Sequence, residues 1–248
     1  MKSLQGRNVV VVGGSRGVGR SIAEAALDEG ARVLAVARGA ASLAQFANET
    51  PGVKTLAVDA TKDSAPDAVF AALEPDVLVL CAGALAPAAP PHELSWEEFS
   101  SNWETDVKAS FLFCGAALRR PLKPGTRVIL ISSGAALSGG PPFSGGYAGA
   151  KRMQMFLAGH CQKESDRLGL GLRFMDLVPM RLMPETGVGK GGVDGYAAYA
   201  GIRPADVIAG MTATQTPADV GRAVVALATG KSQGSSFTVS ENGLAPVA

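Results

Sequence analysis

The sequence predicts an α/β protein, a single domain over residues 1–248 built on one doubly wound parallel sheet of about seven strands with helices on both faces. Three observations carry this. An apolar run at residues 7–12 enters a glycine-rich turn and then a segment with helical apolar spacing. Short apolar runs and helical patterns then alternate along the chain, the mark of βαβ units. Composition agrees: of 248 residues, 47% are hydrophobic and 18% charged, which excludes disorder as the main character and leaves enough apolar surface for a large core.

The elements follow in order. The first strand, residues 7–12, is apolar throughout and reads as a buried parallel strand. Ile22, Ala23, Ala26 and Leu27 share one face of the first helix, and Gly30 suits its C-terminal end. Strands two, three and four are read at residues 31–37, 53–58 and 76–80. Ser95 and Glu98 form a capping-box pattern that opens a long helix running toward Arg119, ended by Pro121 and Pro124-Gly125. Strand five follows, in the run 127–133 that ends in Ser132-Ser133, a helix carries Tyr147 toward Leu168, and strand six lies near 170–177. Thr216, with Pro217 behind it, starts another helix, and residues 237–239 read as the last strand.

Two features carry chemistry. In the first, strand, glycine turn (Gly13 to Gly19) and helix stand in the order that dinucleotide binding requires. Glycines let the backbone approach a pyrophosphate, and the helix N-terminus offers free N–H groups and a positive dipole end. The second is Tyr147 with Lys151, four residues apart and so on one face of a helix. An ammonium beside a phenol favours the phenolate, and a phenol so tuned can exchange a proton with an alcohol oxygen. An exposed surface pair is the bland reading of such a spacing; the glycine loop upstream argues against it.

On these residues the chain resembles the classical short-chain dehydrogenase/reductase family over essentially its whole length. The family loop Thr-Gly-x-x-x-Gly-x-Gly corresponds to residues 12–19, with Val12 in place of Thr. Its Tyr-x-x-x-Lys corresponds to Tyr147 and Lys151, and its catalytic Ser to Ser133, preferred over Ser132. Asn-Asn-Ala-Gly after strand four becomes Leu80-Cys81-Ala82-Gly83. The resemblance implies a Rossmann-like fold and hydride transfer between a nicotinamide cofactor and a carbonyl or alcohol. Ser133 would hold the carbonyl oxygen, Tyr147 would pass the proton, and Lys151 would bind the nicotinamide ribose. The implied cofactor-binding set is Gly13, Ser15, Arg16, Gly17, Val18, Gly19, Arg38, Asp59, Ala60, Ala82, Gly83, Tyr147, Lys151, Pro179 and Met180.

Strand two ends at Ala37-Arg38 without the acid that would hold a ribose 2′-hydroxyl, and Arg16 lies inside the loop. Two guanidinium groups suit a 2′-phosphate, so NADP(H) is expected in preference to NAD(H). The chain departs from the family in four places. Asp106 replaces the Asn that helps to bind a water joining Lys to a proton relay, with Asn102 as a rival one turn away. Met180 follows Pro179 where the family has Gly, and Thr186 is a displaced match for a downstream Thr. Cys81 replaces Asn, and Glu241-Asn242-Gly243 replaces Asp-Gly-Gly.

A substrate lid is expected at about residues 180–210, its five glycines and Met183, Tyr196 and Tyr199 suiting a mobile loop. Residues 84–91 and 139–143 are candidate pocket walls, and their apolar character favours an uncharged carbonyl or alcohol substrate. A net charge of +1 gives no sign of a nucleic-acid or membrane partner, and no metal spacing exists. Three cysteines without a framework, and no signal-peptide pattern, fit reduced thiols in the cytoplasm. The resemblance also implies a homodimer or homotetramer. The alternative is a dinucleotide sensor of the same fold with weak or no catalysis.

Overall fold

The computed structural model describes residues 2–85, 87–211, 213–230 and 234–247. Five strands, β1 (Asn8–Val12), β2 (Arg32–Ala37), β3 (Lys54–Ala57), β4 (Val77–Leu80) and β5 (Arg127–Ile131), are joined in parallel by β6 (Arg173–Pro179) and β7 (Ser236–Ser240). An eighth strand, β8 (Gly243–Pro246), pairs antiparallel with β7, so the sheet order is β3-β2-β1-β4-β5-β6-β7-β8. The sequence reading of about seven parallel strands therefore omits one antiparallel edge strand.

Side chains alternate across each strand, and the buried valines of β1 show what this does. Val9 and Val11 enter one core with Ile22 and Ala26 of α1 (Gly17–Asp28), Phe46 of α2 (Ala40–Glu49) and Leu227 of a C-terminal helix. Val10 and Val12 enter the other core with Val69 of α3 (Ala65–Ala72) and Phe113 and Cys161 of two central helices. A strand apolar at every position is thus a strand covered on both faces.

The long helix expected after Ser95 is present but interrupted. The Ser95–Glu98 capping box opens α4 (Trp96–Asn102), a π-helical turn occupies Trp103–Val107, and α5 (Lys108–Arg119) continues. A short α6 (Ala135–Ser138) precedes α7 (Gly145–Leu168), the helix that carries Tyr147 and Lys151. Residues 180–210, read above as a mobile loop, contain two helices, α8 (Gly187–Ala200) and α9 (Pro204–Ala209). Thr216 caps α10 (Pro217–Thr229) in a full capping box with Asp219.

The chain reverses direction across the sheet between β1 and β4, and the crevice beyond the carboxyl ends of such strands is where ligands bind in open α/β sheets. Everything the sequence singled out for chemistry is attached to that edge.

Candidate active site

The glycine turn after β1 is a cradle that side chains would fill. Gly13 has φ +90°, and a Cβ on it would lie 2.5 Å from the Ala82 nitrogen just beyond β4. A Cβ on Gly19 would lie 2.1 Å from the Gly13 carbonyl oxygen, so α1 can start against the turn only with glycine there. Ser15 and Arg16 complete the turn, Arg16 exposed as the N-cap residue, and no side chain caps the first turn of α1. Val18 packs on the core below. This leaves the N-terminal N–H groups and dipole of α1 facing the crevice, a geometry that fits the pyrophosphate of a dinucleotide.

Arg38 stands exposed at the end of β2, and among the described residues neither it nor Arg16 is in an ion pair. Asp59, after β3, accepts from the Thr61 amide at 3.0 Å and hydroxyl at 2.8 Å; those bonds hold its carboxylate below the ordinary range. Ala60 beside it is buried. Cys81, just past β4, is half-buried and packs against the core, and burial pushes its thiol up to about 11.

The second half of the site sits where α7 crosses the end of β5. Ser132 is buried, and its hydroxyl donates to the Lys151 carbonyl at 2.9 Å, tying strand to helix. Ser133 is half-exposed, its Oγ accepting from the Ala135 amide at 3.3 Å. The two serines therefore divide: one is committed to structure, and the other keeps its hydroxyl proton available. Tyr147 is half-buried, with Lys151 Nζ 5.8 Å from its ring centroid.

Lys151 is 6% exposed and Asp106 is fully buried, with Nζ 3.1 Å from Asp106 Oδ2. That oxygen makes no hydrogen bond among the described residues, so the Lys151 charge is what compensates it. Oδ1 is richly bonded, accepting from Thr105 Oγ1 at 2.8 Å, the Ala84 amide at 2.9 Å and Asn102 Nδ2 at 3.4 Å. The rival residues thus act together: Asn102 supports Asp106. Gly83 leaves room here, since a Cβ on it would stand 3.0 Å from Oδ2 and press on the carboxylate. Burial by itself would lower the Lys151 ammonium, but the charge of Asp106, with smaller help from Tyr147 and Cys81, raises it above its ordinary value.

Gln154 was not among the residues singled out in the sequence. It is fully buried, accepts from Lys151 Nζ at 3.0 Å, and donates to the Asp106 carbonyl at 3.3 Å and Ser110 Oγ at 2.8 Å. The available signal was its place three residues after Lys151, which puts a polar side chain on the same inward face of a helix.

Pro179 ends β6, and Met180 is bonded through its amide to the Val239 carbonyl at 2.9 Å with its side chain partly exposed. Thr186, displaced from the position the family pattern suggests, caps α8 and lies against the glycine turn, 3.6 Å from where a Gly17 Cβ would stand. The segment of 180–210 therefore begins over the cradle. Phe143 meets Tyr199 and Tyr196 at centroid distances of 5.5 and 6.3 Å, joining the 139–143 wall to α8. Of the 84–91 wall, Leu85 and Ala88 pack on α8 at Gly191 and Gly195, while Ala86 lies outside the described residues. Among those residues no helix is long and apolar enough to cross a membrane, and no cluster of side chains could hold a metal ion.

Comparison with known proteins places this geometry. An L-xylulose reductase of Bos taurus is 34% identical over 106 residues, 43% of each chain. A D-erythrulose reductase of Gallus gallus is 32% identical over 107 residues, 43% of this chain and 44% of its own. A D-threitol dehydrogenase of Mycolicibacterium smegmatis is 35% identical over 136 residues, 51% and 52% of the two chains. The matched stretch spans about half the length of these relatives or less. The profile of the short chain dehydrogenase family matches residues 7–179, from the first strand through the end of β6. The chain belongs to the short-chain dehydrogenase/reductase family of oxidoreductases.

Proposed function

We propose that this protein is an NADP(H)-dependent oxidoreductase that interconverts a carbonyl and an alcohol, with Tyr147 as the acid/base. The observation that carries this reading is a half-buried phenol beside a buried ammonium at the sheet edge that also bears the glycine cradle. A dinucleotide held there supplies the hydride. The residues do the rest. Ser133 Oγ donates to the substrate oxygen, Tyr147 gives that oxygen its proton or takes it in the reverse direction, and Lys151 presents positive charge beside the phenol. Arg16 in the glycine turn and Arg38 at the end of β2, both exposed and in no ion pair among the described residues, support NADP(H) over NAD(H) through a 2′-phosphate.

The substrate is a small uncharged carbonyl or alcohol. The relatives named for xylulose, erythrulose and threitol make ketoses and polyols the first class to try. The exposed aromatic residues Phe111, Phe156 and Trp103, on α5, α7 and the π-helical turn, support a homodimer or homotetramer formed through these helices. Three unpaired cysteines fit a reducing compartment such as the cytoplasm.

One observation favours a second reading, a dinucleotide sensor: Lys151 is already engaged by Asp106. The deciding experiment is NADPH and NADH oxidation against ketoses, simple ketones and aldehydes, beside Tyr147→Phe. NADPH-dependent turnover that the variant lacks supports the reductase. Tight NADPH binding without turnover supports the sensor, and binding of neither nucleotide refutes both.

A further inference from the structure

Three oxygens surround Lys151 Nζ, and all belong to the protein: Gln154 Oε1 at 3.0 Å, Asp106 Oδ2 at 3.1 Å and the Ile131 carbonyl at 3.2 Å. The ammonium donates to Gln154 Oε1 and to the Ile131 carbonyl, and the Asp106 carboxylate compensates its charge, so its near neighbours are protein groups before any ligand arrives. They come from three different elements: α7 itself, the π-helical turn and the end of β5. The titratable groups facing this ammonium are Asp106 on the π-helical turn, Cys81 at the end of β4 and Tyr147 on α7.

Gln154 is the partner whose orientation is fixed independently of Lys151. Its amide nitrogen donates to the Asp106 main-chain oxygen and to Ser110 Oγ, both buried. A side-chain amide carries its acceptor and its donor pair on opposite sides, so these two bonds aim Oε1 at Lys151. The reversed amide would set N–H groups against an ammonium and a carbonyl against a carbonyl. The π-helical turn matters here too. The Asp106 carbonyl lies on it, accepting from Ser110 Oγ at 2.8 Å and from Gln154 Nε2 at 3.3 Å.

We propose that Gln154 is a positioning residue for Lys151, its amide locked on the π-helical turn and keeping the ammonium turned toward Asp106, so that reaching a ligand at the Tyr147 end costs Lys151 one of its protein contacts. The catalytic consequence rests on the oxidoreductase reading; the positioning itself does not.

The test compares full-length wild type with Gln154→Met, which keeps length and volume but has no amide, and with Asp106→Asn, which keeps shape but not charge. The first readout is nuclear magnetic resonance of the Lys151 ammonium, assigned by its loss in Lys151→Met. The expected result is ammonium-proton exchange about tenfold faster in Gln154→Met than in wild type. The titration midpoint of Lys151 should fall in Gln154→Met and further in Asp106→Asn. Where turnover exists, kcat should drop about tenfold in Gln154→Met with no loss of NADPH affinity, because the ammonium is mispositioned but freer to turn outward. Exchange and titration matching wild type, with only Tm lowered, would overturn the proposal and make Gln154 a space-filler. If Gln154→Met does not fold, Gln154→Glu decides: it keeps an acceptor toward Lys151, so slow exchange supports the proposal and fast exchange overturns it. A wild type that turns over nothing would count against the reductase reading, while the exchange measurement would still decide this one.

Discussion

Asp176 gives the most quantitative prediction. It sits in β6, 2% exposed, with Leu130 of β5 and Ser236 of β7 as its register partners. Burial raises its carboxyl from an ordinary 3.8 to about 6, against the opposing pull of a 2.8 Å hydrogen bond from Ser236 Oγ and the charge of Arg152. The folded-state value therefore lies above the unfolded one. Its contribution to stability is fully present below 3.8 and is lost as pH rises through about 6. The gap, about two pH units, corresponds to about 3 kcal/mol of stability lost between acid and pH 8. Asp176→Asn cannot ionise, and its carbonyl can still accept from Ser236. At pH 8 the variant should be more stable by about 2–3 kcal/mol, which for a chain of this size is a Tm rise of about 6 °C. Near pH 4 the two proteins should melt almost together. Reversible urea titrations at both pH values, with a calorimetric scan at each, measure this. A Tm difference independent of pH would refute the reasoning, as would a variant less stable at pH 8, since either would mean that Asp176 does not pay for its burial when charged.

Four further outcomes are expected. Replacing Arg16 and Arg38 together by Ala should raise the NADPH KM about tenfold or more and leave that for NADH nearly unchanged, read from initial rates with both nucleotides. Gly19→Ala places a methyl 2.1 Å from the Gly13 oxygen and should abolish nucleotide binding, measured by calorimetric titration, while costing about 3 kcal/mol of stability. The serine pair should separate: Ser132→Ala costs about 1 kcal/mol in urea unfolding through its lost bond to the Lys151 carbonyl, whereas Ser133→Ala lowers kcat about a hundredfold with little change in stability. Thr216→Ala removes the N-cap of α10 and should lower stability by about 1 kcal/mol, with no effect on kcat.

The sheet was legible where a residue's role is local. Apolar strands, the Ser95 and Thr216 capping boxes and the glycine turn each carry their own signal, and the structure places them as read to within a few residues. β8 was not legible, because Gly243–Pro246 is a short edge strand with a proline and no alternation, formed by pairing with β7. α8 was missed for a related reason. Five glycines in fourteen residues read as loop by intrinsic propensity, yet they let the helix approach Leu85, Ala88 and Phe143 closely, and the Thr186 cap starts it. Short α2 and α3 carry too little pattern to separate from connections.

The candidate site divides along the same line. Tyr147, Lys151 and Asp106 could be named from spacing and resemblance, but what Asp106 does there could not. Replacing an amide by a carboxylate reads in sequence as a stray charge near Lys151. In the fold it is a fully buried ion pair with Oδ1 held by Thr105, Asn102 and the Ala84 amide, and with Gly83 bare to admit Oδ2. A buried carboxylate costs several kcal/mol unless it is paired, so Asp106 and a charged Lys151 stabilise each other. Removing either should harm the fold as well as the chemistry. Gln154 joins the same network from another turn of α7, and no spacing rule links residue 154 to residue 106. The carboxylate that reads in sequence as a departure is, in three dimensions, one half of a buried ion pair, its Oδ1 held by hydrogen bonds and its Oδ2 by the Lys151 charge.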